Sequence, residues 1–274
     1  DVYKRQVTKI PLNPIDDFEQ RFIAAAQQHH YDMIFFSHVF FNAGYKIQSL
    51  ENIVTELRQS QELKTPIIID GYHAFMARPI DLSAIEKDVF YMAGGYKYAM
   101  SGEGCCFMHC PDYFIERPVN PGWFAAFDHL SDMHDVPYHA PDNGMRFMGA
   151  TFDPSGLYRM HAVLSWLTKS GITPEKMDQH ILPLMRSCAT RMLTEIDWIN
   201  SDMLIINPER HDDHGHFIAL KTDQARAIYT HLKEQQCITD YRGDILRFGF
   251  GIYHDIDDVK KLISHLQKYQ GITK

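Results

Sequence analysis

Residues 66–110, PIIIDGYHAFMARPIDLSAIEKDVFYMAGGYKYAMSGEGCCFMHC, contain three short apolar segments separated by polar and glycine-rich stretches. The segments 66–70, 88–93 and 104–110 are rich in β-branched and aromatic residues, which favours buried strands. The similar segment 31–41 predicts another strand upstream. Because apolar strands and amphipathic helix patterns alternate here, we expect an α/β fold with a mostly parallel sheet and helices on both faces.

The sequence after residue 165 predicts a different architecture. Apolar residues at helical spacing predict a helix over 156–169, and Thr173-Pro174 has the residue types that start another helix, which we expect to end near Ile196. Three strand-like segments and a closing helix follow; the strands are predicted at 203–207, 216–220 and 245–250. We therefore expect two domains, residues 1–165 in a larger α/β domain and residues 166–274 in a smaller α+β domain.

Composition narrows the class of protein. The chain has 274 residues, a formal net charge of −8 and 45% hydrophobic residues, which is typical of a globular protein. The acidic balance argues against nucleic-acid binding, and no apolar run approaches the ~20 residues of a membrane helix. Five cysteines and no secretory signal favour a cytoplasmic location. The chain begins at Asp1 without Met, which suggests a sequence that starts inside a fold.

Two polar residues stand where predicted strands end. Asp70 ends the strand 66–70, and Lys97 follows the strand 88–93 through a Gly-Gly pair. The carboxyl ends of parallel strands meet at one sheet edge, where ligands bind in such folds. Asp70 there is either a cap of the next turn or a carboxylate facing a cation. Lys97 is either a surface lysine or an amine with a pKa lowered by burial, and together the two suit pyridoxal 5′-phosphate (PLP).

Arg247 is a single cation inside the apolar segment 245–250. A buried arginine needs an anionic partner. The sequence leaves two interpretations open, an internal salt bridge or a bidentate clamp on the carboxylate of a substrate.

These residues resemble the core of the class V aminotransferase superfamily, a branch of the fold-type I PLP enzymes, and within it most closely the kynureninases. The matching elements are an Asp-x-x-His strand end, a Tyr-Lys pair, a Gly-Trp-Phe, an Asp-x-Arg-x-x-x-x-Arg element and a weaker Ser-His-Val…Gly element. They are found here at Asp70 and His73, Tyr96-Lys97, Gly122-Trp123-Phe124, Asp240, Arg242 and Arg247, and Ser37-His38-Val39…Gly44. The resemblance extends from about residue 31 to the end.

The resemblance implies a PLP enzyme that acts on an amino acid, and it implies roles for three residues at the cofactor ring. Lys97 would form a Schiff base with PLP and later move protons. Asp70 would bind the pyridine nitrogen, and His73 would lie against the ring or its phenolic oxygen. Residues 1–165 would be the carboxyl-terminal part of the PLP-binding large domain.

The resemblance also implies the contacts of the cofactor phosphate and of the substrate. Tyr96 and Trp123 would reach the phosphate, and Arg247 would bind the substrate's α-carboxylate. Thr151 stands where the superfamily often uses a threonine from the partner subunit on the phosphate, so a homodimer is implied.

Some features depart from the family and keep alternatives open. Kynureninases carry an asparagine near the position of Thr151, and none stands here, so the choice among kynureninase-like cleavage, another lyase step and transamination remains open. A cysteine desulfurase would need a nucleophilic cysteine in the loop before the Arg247 strand. Cys237 is the nearest cysteine, but it precedes that loop and is predicted to lie in a strand. A non-catalytic dimerisation or binding module is the third alternative.

Two clusters contain residue types that can bind metal ions. Residues 211–216 read HDDHGH and are expected to form a solvated hairpin, and the cysteines and histidine of 105–110 would alternate across a strand. We therefore predict no metal site. His129, His134 and His139 lie in the irregular segment 111–151, where they either line a substrate entrance or belong to a polar loop.

Overall fold

A computed structural model of the chain describes residues 6–62, 64–114, 117–120, 122–132, 140–206 and 214–271, leaving out the side chains of 128–132. Within these ranges the chain forms two sheets, one four-stranded and one three-stranded, each with its own apolar core.

The first sheet is mostly parallel, as the sequence predicts. Its strands are β1 (Ile34–Ser37), β2 (Ile67–Asp70), β3 (Val89–Gly94) and β4 (Cys106–His109), in the order β1-β2-β3-β4. The first three strands pair in parallel and β4 is antiparallel. Ser37 pairs with Asp70, and Asp70 with Met92, so the carboxyl ends of the parallel strands lie level.

Two helices cover one face of this sheet. Helix α1 spans Phe18–Gln27 and helix α2 spans Leu50–Ser60, and both contribute buried residues to the core that also contains Ile67 and Ile69. The Ser49 hydroxyl caps α2 by accepting a hydrogen bond from the amide of Asn52, as its residue type predicts. Successive side chains of a strand point to opposite faces of the sheet. Phe35, on the face opposite these helices, is half exposed.

The segment between the sheets is largely irregular, as predicted. It contains two 3-10 segments, Trp123–Asp132 and Gly144–Phe147, and leads into helix α3 (Ser155–Lys169). From the second 3-10 segment, Phe147 packs edge-on against Phe90 of the first sheet.

The carboxyl-terminal part is α+β. Its sheet has the antiparallel order β5-β7-β6 and packs against three helices. The elements are α4 (Pro174–Glu195), β5 (Phe217–Lys221), α5 (Ala225–Glu234), β6 (Asp240–Arg242), β7 (Ile245–Gly249) and α6 (Ile256–Gln267). Thr173 caps α4 and Pro174 occupies its first turn, which confirms the predicted helix start. Leu167 of α3 belongs to this second core, while the domain boundary at 165/166 stays a prediction.

The predicted strand at 203–207 is wrong over its described residues. Ser201–Met203 forms a 3-10 turn, and Leu204 makes only an isolated bridge with Leu220. The Asn200 side chain accepts a hydrogen bond from the amide of Asp202, and this local bond favours a turn over a strand.

Among the described residues, no helix is both long and apolar enough to cross a membrane.

Candidate active site

A cavity of about 1300 Å³ opens at the carboxyl ends of β2 and β3 and extends to β7 of the second sheet. It therefore lies where both parts of the chain meet. Five of the seven predicted site residues line it, namely Asp70, His73, Tyr96, Lys97 and Arg247.

Asp70 caps the turn after β2 and also lines the cavity. One carboxylate oxygen accepts a hydrogen bond from the amide of Tyr72 at 3.0 Å, which caps the turn after β2. The other accepts from the Ser37 hydroxyl at 3.3 Å, across the β1–β2 pair. The residue that caps the turn thus also presents a carboxylate to the cavity.

Lys97 lies in a tight turn that two glycines allow. The amide of Gly95 donates to the carbonyl of Cys105 at 3.0 Å, and a Cβ added at Gly95 would lie only 2.6 Å from the Cys105 sulfur. A side chain at position 95 would displace this turn. The turn directs Lys97 towards the first residues after β2, and its Nζ lies 2.7 Å from Nε2 of His73.

Burial lowers the pKa of both members of the Lys97–His73 pair. Burial lowers the pKa of Lys97 below that of an ordinary lysine; Arg247 adds to this effect and Asp70 opposes it. Burial, with the charges of Lys97 and Arg247, lowers the pKa of His73 to about 3. His73 is therefore neutral near pH 7, and its Nε2 can accept a hydrogen bond from the Lys97 ammonium.

Other groups around the pair are aromatic. The Lys97 Nζ lies 5.7 Å from the ring centre of Tyr72 and 5.8 Å from that of Tyr96, which are cation–π distances. Nδ1 of His73 is buried and has no hydrogen-bond partner among the described residues. The amine thus lies among two phenol rings and an imidazole, with Asp70 near enough to affect its pKa.

Arg247 forms the internal salt bridge that is one of its two interpretations, while the carboxylate clamp stays a prediction. Its Nη2 pairs with the carboxylate of Asp240 on the neighbouring strand β6, so an internal salt bridge is present. Its Nη1 donates to the carbonyl of Phe41 at 2.7 Å, and the guanidinium lies 5.8 Å from the ring centre of Phe217. The guanidinium still lines the cavity with N–H groups left for a ligand.

Trp123 and Thr151 are not brought to this cavity. The Trp123 ring is about half exposed and contacts Phe124 and Phe127, and Thr151 is exposed. The amide of Phe124 donates to the carbonyl of Gly149 at 3.2 Å, so the two segments lie side by side on the surface. Their predicted phosphate contacts stay predictions.

Cys237 does line the cavity, but not in a strand as predicted. It lies in the turn between α5 and β6, which begins only at Asp240. Burial raises the pKa of its thiol, which disfavours the reactive thiolate that a desulfurase needs. All five cysteines are free.

The other clusters in the sequence fall partly outside the described residues. His211, Asp212 and Asp213 lie outside them, as do His134 and His139 and the side chain of His129. The expected solvated hairpin at 211–216 is wrong for its described histidines, because His214 and His216 are buried. In the cysteine cluster, Cys105 is buried just before β4, while Cys106, Phe107 and Met108 of β4 are all exposed, so burial does not alternate along this strand.

Sequence reasoning missed three contributors to the site. Tyr72 faces Lys97, Phe41 supplies a carbonyl to Arg247, and Phe217 contacts both the His73 ring at 5.6 Å and the Arg247 guanidinium. Tyr72 stands inside the Asp-x-x-His element, so its position could have drawn attention. Phe217 carried no signal, because its importance arises from contacts with segments far away in the sequence.

The burial of His38 gives a pH prediction for stability. His38 follows β1, its Nδ1 lies 3.2 Å from the Tyr91 hydroxyl, and burial lowers its pKa to about 3. The unfolded chain, with a pKa near 6.5, binds more protons between these values, so the free energy of unfolding is greatest above pH 6.5 and decreases as the pH falls. Urea titrations at pH 7 and pH 5 should show a loss about 2 kcal/mol larger in the wild type than in His38→Asn. His30→Asn, at an exposed histidine, should lose as much as the wild type; equal losses in all three proteins would contradict this account.

Comparisons with known proteins identify one related domain. Residues 182–266 match the sequence model of the kynureninase C-terminal domain. A search of curated protein sequences finds no match.

Solved structures share the fold. A NifS-like protein from Rickettsia africae superposes with a TM-score of 0.66 at 11% identity, over 91% of this chain and 65% of that one. A ureidoglycine-glyoxylate aminotransferase from Bacillus subtilis gives 0.63 at 12% identity, over 91% and 62%. A serine palmitoyltransferase from Sphingomonas wittichii gives 0.60 at 14% identity, over 91% and 58%.

The chain thus spans about three fifths of the length of these structures. At such identities they establish the fold, that of fold-type I PLP enzymes, while the family match covers part of the carboxyl-terminal domain. Together, the two findings confirm the resemblance to the class V aminotransferase superfamily and, within it, to its kynureninase-like members.

Proposed function

We propose that the protein is a PLP-dependent enzyme that acts on an amino-acid substrate, with Lys97 as the residue that binds the cofactor covalently. One observation carries the proposal: a lysine with a lowered pKa, a carboxylate and an arginine line one cavity at the carboxyl ends of the parallel strands. Lys97, Asp70 and Arg247 come from three distant parts of the sequence, and each has a chemical role in such an enzyme.

The donor set of the cavity fits PLP. The cofactor needs an amine for its aldehyde, and Lys97 provides one next to Nε2 of His73, whose buried Nδ1 has no hydrogen-bond partner in the described part of the chain. It needs a carboxylate for its pyridine nitrogen, and Asp70 provides one that Ser37 and the amide of Tyr72 hold in place. When bound, PLP supplies an electron-withdrawing ring that stabilises negative charge at the substrate's α-carbon.

Lys97 can move a proton, and His73 orients its amine. Because burial lowers the pKa of Lys97, a larger fraction of this amine is neutral near pH 7 than of an exposed lysine. His73 is neutral and within hydrogen-bond distance of Nζ, so it accepts a hydrogen bond from the amine and orients it.

Arg247 would bind the substrate's α-carboxylate. Asp240 and the Phe41 carbonyl hold the guanidinium from two sides, and Phe217 supports it from a third. A guanidinium fixed in this way loses little entropy when it binds a carboxylate. Of the reactions open to the superfamily, the match of residues 182–266 favours kynureninase-like hydrolase or lyase chemistry, with class V transamination as the other candidate.

We also propose that the enzyme is a homodimer in the cytoplasm. Trp123 and Thr151, which the resemblance assigns to the phosphate, lie on an exposed surface with half-exposed Phe127 and Phe152. Docking of a second copy on this surface would cover the aromatic rings and bring both residues to a cavity. Sedimentation of the full chain with PLP measures this, and a monomer at all concentrations would contradict it.

A titration with PLP tests the proposed function. We expect a saturable visible absorbance band on adding PLP, because the aldehyde reacts with the Lys97 amine. Pyridoxine 5′-phosphate, which has the same ring and phosphate but no aldehyde, is the matched control and should compete for the site without producing the band. A chain that produces no band at any PLP concentration would instead be a non-catalytic binding module.

A further inference from the structure

Two buried polar residues and one partly buried carboxylate join the two parts of the chain beside the candidate active site. Nε2 of His216 lies 2.7 Å from a carboxylate oxygen of Asp178, and Nη1 of Arg78 lies 3.4 Å from the same oxygen. The side chains of His216, Arg78 and Asp178 are 1%, 8% and 14% exposed. We call these three residues the clasp.

The clasp connects three separate segments. Arg78 ends the turn-rich segment 71–78, which begins at the end of β2 and carries His73. Asp178 lies in the second turn of α4, and His216 directly precedes β5. Arg78 therefore belongs to the part of the chain that contains the first sheet, whereas Asp178 and His216 belong to the carboxyl-terminal part.

The charges of the clasp balance within it. Burial lowers the pKa of His216 although Asp178 opposes the effect, so His216 is neutral and its Nε2–H donates to Asp178. The carboxylate of Asp178 then has one full positive charge beside it, that of Arg78. Burying such a pair costs desolvation, and replacing it with apolar groups is often neutral for stability. A role in fixing geometry accounts for the clasp better than a role in stability.

Strand β5 links the clasp to residues that line the cavity. The His216 carbonyl accepts from the amide of Phe250 at 2.9 Å, and the next residue, Phe217, contacts the His73 ring and the Arg247 guanidinium. In the sheet, Ala219 of β5 pairs with Arg247 of β7. A shift of β5 relative to segment 71–78 would therefore change the separation of Arg247 from Lys97.

We propose that Arg78, Asp178 and His216 are positioning residues that fix the distance between Arg247 and Lys97, and so determine which substrates reach both groups. The substrate part of this inference rests on the proposed function. The geometric part does not, because it concerns the relative position of two parts of the protein.

The double variant R78M/D178N tests the role of the clasp in fixing geometry without the added effect of an unpaired buried charge. It removes both charges together, and its asparagine oxygen can still accept from His216, so no buried charge is left unpaired. The control is R191M/E195Q, which also removes one pair of opposite charges, at 2.6 Å, but one that lies wholly within α4.

The direct measurement is a distance distribution between spin labels on the exposed positions Gln59 of α2 and Ala227 of α5, in the full chain without cofactor. Non-natural amino acids carry the labels, so the native cysteines remain unmodified. We expect R78M/D178N to melt cooperatively and to give a broader or shifted distribution, while R191M/E195Q matches the wild type. A wild-type distribution in R78M/D178N overturns the proposal.

A second measurement uses the PLP-loaded protein. Because misplacement by about 1 Å can cost up to a hundredfold in rate, we expect R78M/D178N to raise KM for the amino acid by about tenfold or more. The Kd for PLP should change less than about twofold, because Lys97 and Asp70 stay on the first sheet. An unchanged KM also overturns the proposal.

The outcomes distinguish the two proposals. If wild-type protein binds no PLP, the proposed function fails and the distance measurement alone decides the clasp. If R78M/D178N does not fold, D178E replaces it, because it keeps the charge and adds one methylene between α4 and Arg78. An unchanged distance distribution in D178E then overturns the proposal.

Discussion

Replacing Lys97 with alanine should abolish the visible absorbance that PLP produces and lower kcat by at least about a thousandfold. The reason is that one amine performs two tasks, covalent attachment of the cofactor and proton transfer, the second of which alone contributes roughly 10²–10⁴-fold. The measurements are the absorbance titration and steady-state kinetics with amino-acid substrates.

Two control variants make the Lys97 experiment specific. Lys97→Arg keeps a positive charge beside His73 but cannot react with the aldehyde, so it should lose the absorbance as completely as the alanine variant. Lys221→Ala removes a lysine that is 63% exposed, and it should keep the absorbance. A Lys97→Ala protein that retains the band would show that another residue holds the cofactor.

Replacing Arg247 with alanine should raise KM for the amino acid with a smaller change in the Kd for PLP. Removal of one partner of a desolvated charge pair costs on the order of 2–5 kcal/mol, which is at least about thirtyfold in KM. The side chain of Arg247 is 12% exposed, so solvent screening is weak.

Arg242→Ala is the matched control for Arg247. Arg242 lies on the neighbouring strand and pairs with the same Asp240, but its side chain is 63% exposed. Exposed pairs contribute about 0–1 kcal/mol, so we expect a change below about fivefold. Equal effects of the two variants, or an unchanged KM in Arg247→Ala, would contradict the carboxylate role.

The sheet edge could be predicted from local patterns. Asp70 and Lys97 each follow a short apolar strand, and parallel strands place their carboxyl ends at one edge, so their meeting follows from sequence spacing. Helix starts at Ser49 and Thr173 were likewise predictable, because a cap depends on residues three positions apart.

Contacts between distant segments could not be predicted. Phe217 lies against His73 only because β5 of the second sheet packs beside the end of β2, and no periodicity encodes that contact. The clasp joins residues separated by 38 positions or more, of ordinary types. The strand expected at 203–207 is wrong because of a local contact instead: the Asn200 side chain accepts a hydrogen bond from the amide of Asp202, which favours a turn.

Trp123 and Thr151 have roles that only the resemblance to a family predicts. Their motif matches predict contacts with the cofactor phosphate, but both lie on the surface of the chain, away from Lys97. If the dimer forms as proposed, their roles depend on a second copy.

The central claim is that Lys97 binds PLP covalently, and mapping the attachment site tests it most directly. The full chain is incubated with PLP, reduced with borohydride to fix the C=N bond as an amine, digested, and analysed by mass spectrometry. We expect one stoichiometric pyridoxyl adduct, on the peptide that contains Lys97. Adducts spread over several exposed lysines, or none at Lys97, would contradict the account.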